Sequence, residues 1–100
     1  MTTVLHIVLL EPKSDASPEA VEDMYAGLRQ LQHRIPGIES IVCGENTSPE
    51  GLGHGYTLGF TVTFVDAAAR DNYLPHPDHL AVVPLVQAVA KQVLVFDLPS

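Results

Sequence analysis

The chain is predicted to adopt an α+β, ferredoxin-like fold, a split βαβ arrangement with helices on one face of a four-stranded antiparallel sheet. Three observations carry that expectation. Apolar, β-rich segments sit near the start, middle and end of the 100 residues, and helical periodicities separate them. The resulting order is β-α-β-β-α-α-β. An apolar share of 46% against a charged share of 17% suits an ordered chain of one core, so residues 1–100 are read as one domain.

Residues 4–10 are aliphatic, with β-branched Val4, Ile7 and Val8, broken only by His6, and end at Glu11-Pro12. Alternation puts Val4, His6, Val8 and Leu10 on one face and Leu5, Ile7 and Leu9 on the other. After a polar loop, Ser17-Pro18-Glu19 supplies an N-cap, a first-turn proline and an acidic first turn. Val21, Met24, Tyr25, Leu28, Leu31 and Ile35 then recur at helical spacing, until Pro36-Gly37 ends the run. A second strand is expected over 38–45, and a loop rich in Asn, Ser, Pro and Gly over 46–55.

Residues 56–64 give the clearest strand. Tyr56, Leu58, Phe60, Val62 and Phe64 lie on one face, with Thr57, Gly59, Thr61 and Thr63 on the other. Asp66 caps a short helix over 67–73. A further helix is expected over 78–90 with Pro84 inside it, and a closing strand over 93–98. Helices on one face leave the other sheet face in need of a cover. A second copy of the chain is the simplest cover, which predicts a symmetric homodimer.

Five Lys and Arg against twelve Asp and Glu give a formal net charge of −7. Such a chain has no basic stripe for phosphates and no polybasic segment for an anionic membrane. Nucleic acid and membrane are therefore not expected partners. The N-terminal run is short, lacks a basic leader and is interrupted by His6, so it reads as a strand. Cys43 is the sole cysteine, which excludes an internal disulfide, and a cytoplasmic location is expected.

Chemistry concentrates in Asn72-Tyr73-Leu74-Pro75-His76-Pro77-Asp78-His79. Two prolines forbid one continuous helix, and the bend turns Tyr73, His76 and His79 toward a common space. Imidazole titrates near neutrality, so His79 suits a general base, and the phenol of Tyr73 suits an oxyanion donor. His6, looking inward from the first strand, is placed to orient His79 or bind a substrate oxygen. The plain alternatives are a helix-capping His79, a core phenol at Tyr73 and a hydrogen-bonded core histidine at His6. His76 and His79 stand three apart with Asp78 between them, but Pro75 spoils helical spacing and no further ligand is evident. No metal and no cofactor are expected. His33 and His54 read as surface residues.

Several pieces together resemble one family along essentially the whole chain. They are the opening strand with His6, Ile35-Pro36-Gly37-Ile38, Gly44-Glu45-Asn46, Gly55-Tyr56-Thr57, Val62-Thr63-Phe64, Tyr73 through His79, and the closing Val95-Phe96-Asp97. The sequence is similar to the stress-responsive dimeric α/β-barrel (Dabb) domain. That resemblance implies two ferredoxin-like protomers joined into a barrel, each with a small apolar cavity between sheet and helices. It also implies that Tyr73 and His79 match the working pair of a polyketide cyclase in the family. Met24, Tyr25, Leu28, Leu58 and Phe60 are the expected cavity walls, and His6 and His76 the expected polar contacts. Leu58 stands where the cyclase has a pocket histidine, and Met24 and Leu28 stand where it has aromatics, so a different cavity shape is expected.

The functional expectation is a cofactor-free lyase or cyclase acting on a small apolar, polyketide-like carbonyl compound through His/Tyr acid–base chemistry. The alternative is a non-catalytic, stress-responsive dimer that binds a small apolar or aromatic ligand. A cofactor-independent monooxygenase ranks third.

Overall fold

The chain runs β1 (Val4–Pro12), α1 (Pro18–Gln30), a 3-10 turn (Leu31–His33), β2 (Ile38–Glu45), β3 (Leu58–Phe64), α2 (Ala67–Tyr73), α3 (Pro77–Val89) and β4 (Ala90–Pro99). These elements come from a computed structural model that describes residues 2–100. Every strand pairing is antiparallel, and the sheet order is β2-β3-β1-β4, the ferredoxin-like arrangement. β1 is therefore a central strand between β3 and β4. Its register places His6 opposite Val62 on one side and opposite Asp97 on the other.

The alternation in β1 and β3 decides which face carries the core. Val4, His6, Val8 and Leu10 of β1 and Leu58, Phe60, Val62 and Phe64 of β3 are all buried. Against them lie Met24, Tyr25 and Leu28 of α1, Ala69 and Tyr73 of α2, and Val82 and Val89 of α3. Gly27 allows α1 to approach α3, since a Cβ there would stand 2.9 Å from Leu85 Cδ1. The opposite face carries Leu5, Ile7 and Leu9 beside Thr61, Leu94, Phe96 and Leu98, with no helix of the described residues over it. Phe96 is 54% exposed there.

The caps form as their residue types require. Ser17 Oγ accepts from the Ala20 amide at 3.1 Å, and Asp66 Oδ1 from the Ala69 amide at 2.8 Å. Pro84 lies on the exposed side of α3, where water can take the Leu80 carbonyl that loses its amide partner.

Five elements differ in their bounds from the sequence expectation, the first being β1, which runs to Pro12 rather than residue 10. β3 starts at Leu58 rather than residue 56, because His54 (φ 54°) and Gly55 (φ 89°) hold a turn closed by Tyr56 N–H to Gly53 O. α1 stops at Gln30 and tightens into the 3-10 turn, yet the Ile35 amide still reaches Leu31 O and keeps Ile35 buried. α3 is shifted one residue earlier, to Pro77–Val89 rather than 78–90. β4 spans 90–99 rather than 93–98, because it follows β1 to its end through a register shift at Glu11/Pro12.

Candidate functional site

The bend between α2 and α3 is built by its own side chains. Tyr73 is the last residue of α2, and Leu74 caps it with its amide on Arg70 O. His76 then takes extended backbone and caps α3, its Nδ1 accepting from the Asp78 amide at 3.1 Å. Pro77 occupies the first helical position, where its missing N–H costs nothing. His79, one turn in, donates Nδ1–H to the Leu74 carbonyl at 2.9 Å; a carbonyl can only accept, so the proton sits on Nδ1. The lone pair of a neutral His79 is therefore on Nε2.

Tyr73 and His79 converge. Their ring centroids are 4.2 Å apart at 34°, and Tyr73 is 1% exposed. Phe64 closes one side of the phenol edge-on at 5.0 Å, and His6 lies edge-on at 6.0 Å from both rings. Burial pushes the Tyr73 phenol well above its usual range, so it stays a hydrogen-bond donor. Burial also pushes His79 below the ordinary imidazole value. The Leu74 hydrogen bond opposes that shift, and the neighbouring His6 and His76 reinforce it. A neutral imidazole with a fixed tautomer beside a protonated phenol is a base next to a donor.

Two charged residues complete the corner, and sequence reasoning missed both. His6 Nδ1 lies 2.6 Å from Asp97 Oδ1, and Arg70 Nη1 lies 3.1 Å from Asp97 Oδ2. Arg70 Nε also donates to Asp71 Oδ1 at 3.1 Å. The signal for Asp97 was present: one acid in an otherwise apolar closing strand, answering the one histidine of the opening strand. Reading it needed the β1–β4 register.

The other expected site residues disperse. His76 serves as the α3 cap. Met24, Leu28 and Phe60 are buried in the core, so the space expected to be hollow between sheet and helices is largely filled. Tyr25 and Leu58 line a small cavity of about 360 Å³ with Pro12, Val21, Glu22 and Glu45. The Tyr25 hydroxyl is buried and has no hydrogen-bond partner among the described residues, and Arg29 lies over its ring at 5.5 Å. Burial raises the Tyr25 phenol, helped by Cys43, Glu45 and Glu22. A larger cavity of about 870 Å³ includes Ile7, Leu9, Val42, Thr61 and Leu94, on the uncovered face under the 46–57 loop. Tyr73 and His79 line neither. Among the described residues no helix is long and apolar enough to cross a membrane.

Comparison with known proteins agrees with this architecture. The family model described as "Stress responsive A/B Barrel Domain" matches residues 4–100. The chain is 32% identical to the stress-response A/B barrel domain-containing protein HS1 of Arabidopsis thaliana over 94 residues, 94% of this chain and 86% of that protein. It is 23% identical to olivetolic acid cyclase of Cannabis sativa over 94 residues, 94% of this chain and 93% of the cyclase. Among solved structures, a dimeric ferredoxin-like protein of unknown function from Jannaschia sp. CCS1 superposes with a TM-score of 0.86 at 31% identity, covering 96% of this chain and 97% of that one. The hydroxynitrile lyase of Passiflora edulis shares the fold, with a TM-score of 0.88 at 23% identity over 98% of this chain and 93% of the lyase. Relatives thus include a cyclase and a lyase at low identity, and the chain belongs to the stress-responsive A/B barrel (Dabb) domain family.

Proposed function

We propose that the protein is a cofactor-free lyase or cyclase acting on a small apolar carbonyl compound. The observation that carries this reading is the Tyr73–His79 contact with the His79 proton held on Nδ1 by Leu74. In the proposed reaction, His79 Nε2 removes a proton from a carbon next to a carbonyl. The electron pair of that C–H bond passes to the carbonyl oxygen, where the Tyr73 hydroxyl donates a hydrogen bond to the developing charge. The enolate then attacks a second carbonyl of the same substrate, and the imidazolium returns its proton to the new alkoxide. Run backwards, the same steps cleave a carbon–carbon bond. The phenol is 1% exposed, so the substrate carbonyl has to enter beside the His79 ring that packs on it.

The working form is a cytoplasmic homodimer in this reading. Support comes from the uncovered sheet face, where Leu94, Phe96 and Leu98 are each more than a third exposed, and from relatives described as dimeric. Apolar faces of that kind mark interaction sites.

A second reading is a stress-responsive dimer that binds a small apolar or aromatic ligand without turnover. The larger cavity favours it, because its apolar lining lies apart from the Tyr73–His79 corner. Assays with an aromatic hydroxynitrile and with a linear polyketide thioester separate the two. Turnover that is lost in His79→Ala and Tyr73→Phe supports catalysis. Ligand binding that both variants retain, with no turnover in the parent protein, supports the second reading.

A further inference from the structure

The catalytic reading above uses one imidazole, but the corner holds a second one with a defined partner chain behind it. His6 is 6% exposed and has its Nδ1 on Asp97. A carboxylate accepts, so Nδ1 is the donor and Nε2 is the nitrogen left for other work. Asp97 is not buried enough to be held by packing, because its side chain is 24% exposed. Arg70 holds it instead, gripping Oδ2 and leaving Oδ1 for His6. Arg70 is itself tethered at Nε by Asp71. Three residues on, the same short helix carries Tyr73, so the guanidinium and the phenol share one face of α2. Tyr73 and Arg70 from α2, Asp97 from β4 and His79 from α3 are the polar groups around His6.

We propose that Arg70 is a positioning residue which, through Asp97, keeps the His6 proton on Nδ1, so that His6 offers a bare Nε2 as a second proton acceptor of the Tyr73–His79 corner. The inference rests on reading that corner as the site. Its chemical use is specific. A condensation ending in an aromatic or conjugated product needs a second α-proton removed, when the aldol loses water after His79 has returned its first proton to the alkoxide. His6 Nε2 takes that second proton, the C–H electron pair forms the new C=C bond as the C–O bond to the hydroxyl breaks, and the imidazolium gives its proton to the departing hydroxide to form water. The substrate class follows: carbonyl compounds whose cyclised aldol product goes on to lose water.

The test is the ring-nitrogen NMR spectrum of the full chain with 15N-labelled histidine, recorded at about pH 9, well above the ordinary imidazole range. The expected wild-type signal for His6 is the Nδ1–H tautomer, favoured about tenfold or more by a hydrogen bond to a charged group. Arg70→Gln is expected to give a mixed tautomer population, and Arg70→Lys to restore the single form. Amide spectra establish that each variant is folded; because Arg70 is partly exposed, its replacement leaves the core intact. With a substrate that turns over, Arg70→Gln lowers kcat roughly ten- to a hundredfold at unchanged KM, and Arg70→Lys recovers most of it. A wild-type His6 protonated on Nε2, or an Arg70→Gln spectrum identical to wild type, overturns the clamp. An intact clamp without turnover by the wild-type protein instead overturns the catalytic reading of the corner.

Discussion

Two buried phenols, Tyr73 and Tyr25, sit under the same sheet and differ in what surrounds them. Tyr25 is 6% exposed and Tyr73 is 1%, and burial raises both above the ordinary phenol range. Tyr25 looks onto Cys43 and two carboxylates, Glu45 and Glu22, with its hydroxyl unpartnered. Tyr73 lies between two imidazoles, one of them stacked on it with a fixed tautomer. Burial alone makes a phenol a poor acid. A neighbouring base with its lone pair held in place is what turns such a donor into half of an acid–base pair, and only the Tyr73 corner has one.

The largest effect that separates the two regions is loss of the base. His79→Ala is expected to lower kcat/KM by roughly 10²–10⁴-fold, the usual worth of a positioned general base, whereas Glu45→Gln beside Tyr25 leaves it within a few-fold. Steady-state kinetics on whichever carbonyl probe is turned over checks both. Next comes the phenol itself. Tyr73→Phe should lower kcat by roughly 10²–10³-fold by removing the oxyanion donor, while Tyr25→Phe should leave kcat unchanged. Equal losses from both phenols would remove the distinction drawn between them.

The sheet faces offer a parallel comparison at the level of assembly. Phe96 and Leu80 are almost equally exposed, at 54% and 53%, but Phe96 lies on a continuous apolar sheet face and Leu80 on the outside of α3. For the proposed homodimer, Phe96→Asp is expected to give a monomer by light scattering, and Leu80→Asp to leave the assembly as in the parent protein.

Smaller effects concern stability. Replacing Tyr25 by Phe removes a buried hydroxyl that has no partner, so the variant should be as stable as wild type or more stable by up to about 1 kcal/mol in denaturant titration. The depressed His79 imidazole has a defined sign. As pH falls through 6.5, the unfolded chain takes up a proton that folded His79 resists. The associated stability is present above that range and is lost as pH falls toward the folded value. His79→Gln should therefore flatten the fall in Tm between about pH 7 and pH 5.

Much of this was legible in the residues, for reasons that can be named. Alternation in residues 4–10 and the Ser17-Pro18 and Asp66 starts are local signals, and local signals placed β1, α1 and α2. Pro75 and Pro77 announced the bend that brings Tyr73 and His79 together. What the sequence hid was competition and distance. His76 had equal reason to face a ligand, and its capping of Asp78 is a choice made by backbone geometry. Asp97 and His6 stand 91 residues apart, joined only by the β1–β4 register. The true start of β3 depended on left-handed backbone at His54, a residue type that does not announce it.

His79 is expected to be a neutral imidazole near neutral pH, protonated on Nδ1, with Nε2 free beside Tyr73. Its 15N ring signals followed through a pH titration test this directly. The expected result is a midpoint below 6.5 and a proton on Nδ1 above it. A midpoint at or above 6.5, or a proton on Nε2 in the neutral ring, would contradict it.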